Sequence, residues 1–352
     1  MKAEHRLSTV MVLVVLLAAG LAVYSVWRLD VFGRRPVPVQ YQYRMGRAAD
    51  VDPNLILYRE LDRPIQTGLK EARAVAVDAN GLVYVAGDRE VRCFDQAGRP
   101  TQTLEVQTEP QCLAMAADGA IFIGARDHVE VFSPAGERTA AWPSLGGGTV
   151  ITAIALDKEA VYVADAGHRV VLRFDLQGKV LGRIGEKDPD RGVEGFVVPS
   201  PYFDLVMAQD GLLRVVNPGM HRVEAYTTDG HLEVSWGRFG LDIEGFTGCC
   251  NPVALAVLPD GGFVTCEKAV VRVKAFGPDG RFKGVVAGPV QLTGSVGEAF
   301  QNADQGRARP FDVAADGQGR VYVLDTIRGA VRIFVKTENA VHRTHDTGAG
   351  YE

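Results

Sequence analysis

The sequence predicts an all-β protein, a six-bladed β-propeller preceded by one N-terminal transmembrane helix. Three observations carry this prediction. Glycine makes up 40 of 352 residues, about 11% against a usual ~7%, and this excess without a collagen period indicates many tight turns between short strands. One pattern of paired apolar strands around a turn occurs six times. A long apolar run without charge lies near the N-terminus.

The overall composition excludes several classes of protein. Charged residues make up 23% and hydrophobic residues 47% of the chain, which are ordinary values for a globular protein and argue against a disordered one. A net charge of −5 argues against a nucleic-acid-binding protein, because such proteins normally present a basic field. Five cysteines in a chain of this length are too few for a disulfide-built scaffold.

An uncharged stretch, residues 8–27, follows a short flank of residues 1–7. As a helix it is long enough to cross the ~30 Å hydrocarbon core of a bilayer. Tyr24 and Trp27 lie at its far end, where aromatic side chains favour the membrane interface. A cleaved signal peptide is the alternative, but its apolar region is usually only ~7–15 residues long. We therefore expect a transmembrane signal anchor and, after it, a proline-containing stalk at residues 28–54.

The charges around this stretch give two opposing indications of its orientation. Lys2 and Arg6 precede it, whereas Arg28, Arg34 and Arg35 follow it, so the positive-inside rule alone favours a cytoplasmic C-terminus. A short basic N-terminus before an apolar run and a large domain is the usual layout of an exported signal-anchor protein. We predict a single-pass membrane protein whose propeller is extracytoplasmic, in the periplasm or at the cell surface.

Residues 55–336 repeat one pattern six times. Each repeat has an apolar strand, an Asp- or Gly-containing turn, a second apolar strand, and then a corner and a third strand that ends in an aromatic residue. The repeats begin at Ala72, Cys112, Thr152, Phe203, Val253 and Phe311. In the first five, another turn leads to a fourth strand. Four antiparallel strands per ~40–55 residues indicate a β-propeller.

The sixth repeat ends after its third strand, near Lys336. Residues 55–61, which precede the first repeat, form a suitable apolar strand. We predict that this segment pairs with the last repeat and closes the ring, because closure removes exposed strand edges. Residues 337–352 are polar and are expected to be a disordered tail.

The third and sixth repeats carry a resemblance to a known family. The third reads AIALDKEAVYVADAGHRVVLRFDLQGKVLGRIG and the sixth reads RPFDVAADGQGRVYVLDTIRGAVRIF, and both resemble the NHL-repeat family of six-bladed β-propellers. The resemblance covers about residues 55–336. It implies a platform that binds protein or RNA, and related propellers include a peptide-amidating lyase and calcium-dependent lactonases. A shared fold does not choose among these functions.

Three long insertions, residues 186–200, 238–250 and 289–308, each connect the fourth strand of one repeat to the first strand of the next. In a propeller these connections emerge on the same face as the corners between strands two and three, and we call it the loop-rich face. Long loops on a rigid scaffold often carry function, and the alternative is that they only cover apolar surface.

Basic and polar residues occupy the corners of the loop-rich face. They predict a basic rim around the channel mouth, which suits an anionic small ligand or a carboxylate-rich protein partner. The candidate ligand or partner residues are His168, Arg169, His221, Arg222, Asn251, Glu267, Lys268 and Arg328. The resemblance implies an alternative, because NHL repeats place Asp and Arg at this corner for hydrogen bonds between blades.

Three of the five cysteines, Cys249, Cys250 and Cys266, fall in one repeat. The start of its first strand and the end of its second are neighbours, so Cys249 or Cys250 can approach Cys266 within the ~4.4–6.8 Å Cα separation of a disulfide. Adjacent cysteines rarely bond to each other, because the ring is strained. Cys93 and Cys112 lie in strands and are expected to be buried apolar residues.

The sequence leaves four alternatives open for this cysteine group. It predicts a structural disulfide, thiolates on a metal, a redox-active thiol near Lys268, or free inert cysteines. The usual CxxC spacing of zinc and iron–sulfur sites is missing. Neither a metal nor a cofactor is therefore identified from the sequence.

Asp204 and Asp312 begin the first strand of their repeats, where three other repeats have alanine. We predict that both face the channel, either as part of a calcium-type ligand set or as structural residues. The histidines do not recur at equivalent positions, and no nucleophile elbow, P-loop or dinucleotide motif is present in the sequence.

These observations predict a membrane-anchored platform that binds a ligand or a protein through its loop-rich face. A redox or metal-binding accessory protein is the first alternative, and a channel-centred metal-dependent hydrolase or lyase is the second. We do not expect a nucleic-acid partner, because the chain lacks a basic field.

Overall fold

The computed structural model describes residues 50–190, 193–294 and 311–337, and five single positions between residues 17 and 24. The chain divides into two compact units, Met1–Arg47 and Ala48–Glu352. Most of the expected membrane anchor, residues 8–27, lies outside the described residues, as do most of the stalk and of the tail. The helices within the described ranges are all too short or too polar to span a bilayer.

The second unit consists of six antiparallel sheets, the blades. Two short strands come first, β1 (Tyr58–Glu60) and β2 (Ile65–Gln66). Blade 1 contains β3 (Ala72–Val77), β4 (Val83–Gly87), β5 (Glu90–Phe94) and β6 (Pro100–Glu105). Blade 2 contains β7 (Cys112–Met115), β8 (Ile121–Gly124), β9 (Val129–Phe132) and β10 (Arg138–Ala141). Blade 3 contains β11 (Ile151–Leu156), β12 (Ala160–Asp165), β13 (Val170–Asp175) and β14 (Val180–Ile184).

The remaining blades follow in chain order. Blade 4 contains β15 (Leu205–Met207), β16 (Leu213–Asn217), β17 (Arg222–Tyr226) and β18 (Leu232–Trp236). Blade 5 contains β19 (Ala254–Val257), β20 (Phe263–Cys266), β21 (Val273–Phe276) and β22 (Phe282–Ala287). Blade 6 contains β23 (Asp312–Ala315), β24 (Val321–Asp325) and β25 (Ala330–Lys336). One short helix, α1 (Pro289–Thr293), follows β22, and single 3-10 turns occupy Pro53–Leu55 and Pro218–Met220.

The first strand of each blade contacts the first strands of both neighbouring blades, so these inner strands form a closed ring. In blades 1 to 5 the strands lie side by side in chain order, whereas in blade 6 β1 and β2 pair with β25. This arrangement confirms the predicted all-β, six-bladed propeller.

The ring closes in blade 6, as the sequence predicts. β1 pairs with the end of β25, with Tyr58 opposite Lys336. β2 pairs with the beginning of the same strand, with Ile65 opposite Val331. The outer strand of blade 6 therefore consists of two short strands, β1 and β2, and extends beyond residue 61. Glu60 reinforces the closure, because both of its carboxylate oxygens accept hydrogen bonds from Arg332, at 2.7 and 2.6 Å.

Apolar side chains fill the spaces between neighbouring blades, and one continuous cluster joins blades 3, 4 and 5. The aromatic residue near the end of each third strand is buried in this core, at Phe94, Phe132, Phe174, Tyr226, Phe276 and Phe334. Burial of these large side chains is the main favourable term for the fold.

Candidate functional site

A cavity of about 460 Å³ occupies the central channel and is lined by residues of all six inner strands. One edge of each inner strand has no strand partner, so main-chain polar groups line the wall. At the loop-rich face the lining includes Arg73, Gln111 and Tyr202. Small-molecule pockets usually measure ~300–1,000 Å³, so this cavity has the size of a ligand site.

Asp204 and Asp312 line the channel, and each carboxylate ties its blade to the next. Asp204 accepts the N–H of its neighbour Leu205 at 2.8 Å and that of Leu255 in blade 5 at 2.6 Å. Asp312 likewise accepts the N–H of Val313 at 2.9 Å and that of Val75 in blade 1 at 2.8 Å. Both carboxylates thus accept hydrogen bonds from main-chain N–H groups on the inner strands, at the edge that has no neighbouring strand.

Burial shifts both carboxyl groups towards their neutral forms. It raises the pKa of Asp312 to about 6. Burial and then the nearby charge of Asp312 raise the pKa of Asp204 well above its ordinary value. The channel therefore holds two carboxylic acids that gain protons more readily than exposed aspartates.

This burial predicts a pH dependence that an Asp312→Asn variant removes. Because the folded pKa is about 6 against an ordinary 3.8, Asp312 contributes stability that is lost as the pH rises from about 4 to about 6. The free energy of unfolding of the wild type, minus that of the variant, should fall over this window by up to about 3 kcal/mol. Urea denaturation at several pH values measures it, and a difference that is constant or rises with pH contradicts the assignment.

The long loop after blade 3 folds over the corner of blade 4. Asn217, at the end of β16, accepts the N–H of Val197 at 2.9 Å, and Gly219 donates to the carbonyl of Val197 at 2.8 Å. Phe196 from this loop is buried against Phe203 and Tyr226, at ring distances of 4.8 and 5.6 Å. The loop therefore both covers apolar surface and has a fixed position.

The long loop after blade 4 is held by a buried group of three charged side chains. Glu267, Arg272 and Lys274 are all fully buried. Arg272 donates two hydrogen bonds to the Glu267 carboxylate, at 2.9 and 2.7 Å, and the Lys274 Nζ lies 3.0 Å from it. Glu267 also accepts the N–H of Thr247 at 2.9 Å. We call Glu267, Arg272 and Lys274 the buried triad.

The two cations of the buried triad bind the main chain of the loop above them. Arg272 donates to the carbonyl of Gly245 at 3.0 Å, and Lys274 donates to the same carbonyl at 2.9 Å. Lys274 also lies 4.3 Å from the ring centre of Phe246. Burial lowers the pKa of Lys274 to about 8, although the charge of Glu267 opposes that shift. The loop is thus anchored at its centre.

Cys249 and Cys250 end this loop, on the loop-rich face. Their sulfur atoms lie 3.1 Å apart. Cys249 is exposed and Cys250 is buried. The Ser200 hydroxyl donates to the Cys250 sulfur at 3.1 Å, and Lys268 donates to the Ser200 oxygen at 2.9 Å. We call Ser200, Cys249, Cys250 and Lys268 the thiol cluster.

Lys268 connects the thiol cluster to the channel. Its Nζ lies 4.8 Å from the ring centre of Tyr202, which lines the cavity. Among the described residues, no carboxylate lies within ion-pair distance of Lys268. Arg73, at the same rim, is instead paired with Glu71 at 2.9 Å and Glu109 at 2.6 Å. Lys268 is therefore a rim cation that is available to an anion.

All five cysteines lie in the described part of the chain, and all five are free. A disulfide between Cys266 and Cys249 or Cys250, one of the four alternatives, is not formed, because Cys266 is buried among the apolar side chains between blades 5 and 6. Its thiol faces the carbonyl of Glu267 at 3.6 Å. Cys93 and Cys112 are buried in strands.

The other predicted rim residues mostly hold the corners in place. His168 bonds to Asp165 at 2.6 Å, and Arg328 bonds to Asp325 at 2.8 Å and to the carbonyl of Leu292 at 2.6 Å. Arg169 is exposed at a corner with a positive φ of 57°.

The polar residues near the thiol cluster have the same role. Arg222 bonds to Glu224 at 2.6 Å and to Glu194 at 3.0 Å. The His221 ring bonds to the carbonyl of Gly248 at 2.8 Å. Asn251 accepts the N–H of Lys268 at 2.8 Å and donates to the carbonyl of Lys268 at 3.2 Å. His221 and Asn251 therefore hold the loop that carries Cys249 and Cys250 from both sides.

The sequence reasoning missed two signals that the structure makes clear. A charged residue stands two positions before the buried aromatic residue in five blades, at Arg92, Glu130, Glu224, Lys274 and Arg332. Because strand side chains alternate, such a charge points to the same side as a core residue and must find partners. The tripeptide Glu-Gly-Phe recurs in the first two long loops, ending at Phe196 and Phe246, and both phenylalanines are buried.

In the described part of the chain, no group of three or more His, Cys, Asp or Glu side chains is arranged to hold a metal ion. Asp204 and Asp312 accept main-chain N–H groups, and Cys266 lies apart in the core. The four side chains of the thiol cluster include two sulfur ligands only.

Comparisons with known proteins show the fold alone. No family model and no curated protein sequence matches the chain. A streptogramin B lyase superposes with a TM-score of 0.56 at 11% identity, over 81% of this chain and 100% of that one. A catalytically inactive virginiamycin B lyase from Staphylococcus aureus with quinupristin gives 0.54 at 10% identity, over 80% and 99%. A Bacteroides thetaiotaomicron protein of unknown function gives 0.53 at 16%, over 82% and 73%.

Proposed function

We propose that this protein is a binding protein that takes a small anionic molecule at the mouth of its central channel, on the loop-rich face. The observation that carries the proposal is the cavity of about 460 Å³, with Lys268 at its rim beside Tyr202. A cavity of that size suits a small molecule better than a protein surface, because protein partners usually bind across larger and flatter areas.

The charges at the rim favour an anion with an aromatic or apolar part. Lys268 has no carboxylate partner among the described residues, so a ligand anion gains a charge-assisted hydrogen bond there. Tyr202 offers an aromatic surface next to that charge. Deeper in the channel, the polar side chains Asp204 and Asp312 already accept main-chain N–H groups, so the charged end of the ligand is better placed at Lys268.

The rigidity of the rim supports binding, because a preformed site loses little conformational entropy when a ligand binds. The buried triad fixes the loop before Cys249. Asn251 ties the end of that loop to Lys268. Lys268 is thus held at the rim by its own backbone as well as by its side chain.

A fluorescence titration of the full chain with anilinonaphthalene sulfonate, an anionic aromatic probe, tests the proposal. We expect Lys268→Met to weaken binding about tenfold, because one charge-assisted contact is worth about 1.5 kcal/mol or more. Tyr202→Ala should weaken binding as well. Lys336→Met is the matched control, since Lys336 pairs with Asp260 at the turn after β19, on the opposite face. Equal affinities for wild type and Lys268→Met would refute the proposal.

The position of this propeller in the cell is a further part of the proposal. The repeat pattern supports an NHL-type propeller, and the uncharged run of residues 8–27 supports a single membrane anchor with the propeller on the extracytoplasmic side. A reporter enzyme that is active only outside the cytoplasm, fused after residue 352, tests the orientation. An inactive reporter on a stable fusion overturns it.

A further inference from the structure

We infer that Cys249 and Cys250 form a thiol–disulfide exchange site that reduces a small disulfide and becomes a vicinal disulfide itself. The two sulfur atoms are 3.1 Å apart, against about 2.05 Å in a disulfide bond. One thiol is exposed and the other is buried. The inference does not rest on the proposed anion site, because its substrate class and its reacting groups differ, although both sites use Lys268.

The two cysteines have different environments, which gives them different roles. Cys249 is exposed at the rim, so an incoming disulfide reaches its sulfur first. Cys250 is buried, and its sulfur contacts Cys249, Ser200 and Lys268. Cys249 is therefore the attacking thiol, and Cys250 is the resolving thiol.

Ser200 and Lys268 prepare Cys250 for its role. Burial alone would raise the pKa of the Cys250 thiol, but hydrogen bonds from Lys268 and Ser200 bring it below its ordinary value. The hydrogen bond to Cys250 and, next, burial raise the pKa of the Cys249 thiol. Cys250 is thus the thiol of the pair that loses its proton more readily, and the two sulfur atoms share a contact in which either can be the donor. Lys268 and Ser200 are positioning residues for this chemistry.

The reaction has two balanced steps. Cys249 gives its proton to the neighbouring Cys250 thiolate, and its sulfur attacks one sulfur of the disulfide RSSR. A mixed disulfide forms, and the expelled thiolate RS⁻ takes the proton from Cys250. The Cys250 thiolate then attacks the Cys249 sulfur, forms the bond between the two cysteines and expels the second RS⁻. The two cysteines lose two protons and two electrons, and the substrate disulfide gains those electrons as it becomes two thiols.

The geometry also explains why the reaction is reversible. A disulfide between adjacent cysteines closes a strained ring, and strain makes a disulfide easier to reduce. The His221 ring bonds to the carbonyl of Gly248 at 2.8 Å, and Asn251 accepts the N–H of Lys268 at 2.8 Å. These two hydrogen bonds hold the loop, so it cannot relax freely. The same strain makes the dithiol a weak reductant, so we expect it to reduce only disulfides that are themselves easily reduced, such as aromatic ones.

The remaining three cysteines are not expected to react with the disulfide. Burial raises the pKa of Cys93 to about 12 and raises the pKa of Cys112 and of Cys266 above the ordinary value. Thiolates are the reactive species, so these residues contribute no background on the time scale of the exchange. Cys266→Ser serves as the matched control.

The test mixes the reduced full chain with dithiobis(nitrobenzoate), an aromatic disulfide that releases coloured thionitrobenzoate. Wild type and Cys266→Ser should release two equivalents and lose the mass of two hydrogens, without a retained adduct. Cys250→Ser should release one equivalent and keep a mixed disulfide on Cys249. Cys249→Ser should react at least tenfold more slowly. A rapid Cys249→Ser variant, a Cys250→Ser variant without an adduct, or a Cys266→Ser variant that retains one, would overturn the inference.

The contribution of Lys268 is tested by the pH dependence of the rate at which the second equivalent of thionitrobenzoate is released. Without the ammonium group, the pKa of Cys250 rises. In Lys268→Met, release of the second equivalent should therefore be slower at neutral pH and recover at alkaline pH. A slow second release at every pH indicates a merely structural effect and contradicts the role given to Lys268.

Discussion

Glu267→Gln should destabilise the propeller by about 3–5 kcal/mol, because it leaves two buried cations without a counter-charge. Arg272 and Lys274 are both fully buried, and both have Glu267 as their ion-pair partner. The guanidinium of Arg272 cannot lose its proton in the folded state. Urea denaturation of the full chain, followed by tryptophan fluorescence, measures the change.

Glu186→Gln is the matched control for this substitution. Glu186 pairs with Arg183 at 2.8 Å, and both side chains are about half exposed. Exposed ion pairs of this kind contribute about 0–1 kcal/mol. A Glu267→Gln variant that loses no more stability than the control would show that the buried triad does not anchor the loop.

Arg332→Met should have an effect of similar size, about 3–5 kcal/mol, through the closure of the ring. Arg332 is buried and binds both oxygens of Glu60, at 2.7 and 2.6 Å. It also donates to the carbonyls of Gln291 and Leu292, at 2.8 and 3.0 Å. The substitution therefore loosens β1 and α1 together.

Two measurements identify this loosening. The free energy of unfolding should fall, and limited proteolysis should cut faster in the connection between β1 and β2, residues 61–64. Arg281→Met is the matched control, since Arg281 is largely exposed and lies 3.3 Å from Asp279. Arg332→Met with wild-type stability and wild-type cleavage would contradict the importance of this closure.

The fold was largely predictable from the sequence because the repeat carries it. Turns, alternating strands and a terminal aromatic residue recur in every repeat, and the missing last strand pointed to residues 55–61. The break between β1 and β2 was not predictable. It depends on how Glu60 and Ile65 meet different parts of β25, which is a matter of three-dimensional register.

The site was less predictable, because its residues come together from several blades. Lys268 and the two adjacent cysteines were recognised as candidates, but Ser200 lies 50 residues from Cys250 and carries no motif. The sequence predicts Glu267 as a rim residue, but Glu267 is buried and paired with Arg272 and Lys274. Pair contacts between distant segments decide such details, and a single sequence does not contain them.

The most direct test of the proposed function is a crystal structure of the full chain with anilinonaphthalene sulfonate. The probe should lie at the channel mouth on the loop-rich face, with its sulfonate at the Nζ of Lys268 and its rings against Tyr202. The same crystals of Lys268→Met should lack the probe at that place. A probe bound only on the opposite face or between blades, with an empty channel mouth, would contradict the proposed binding site.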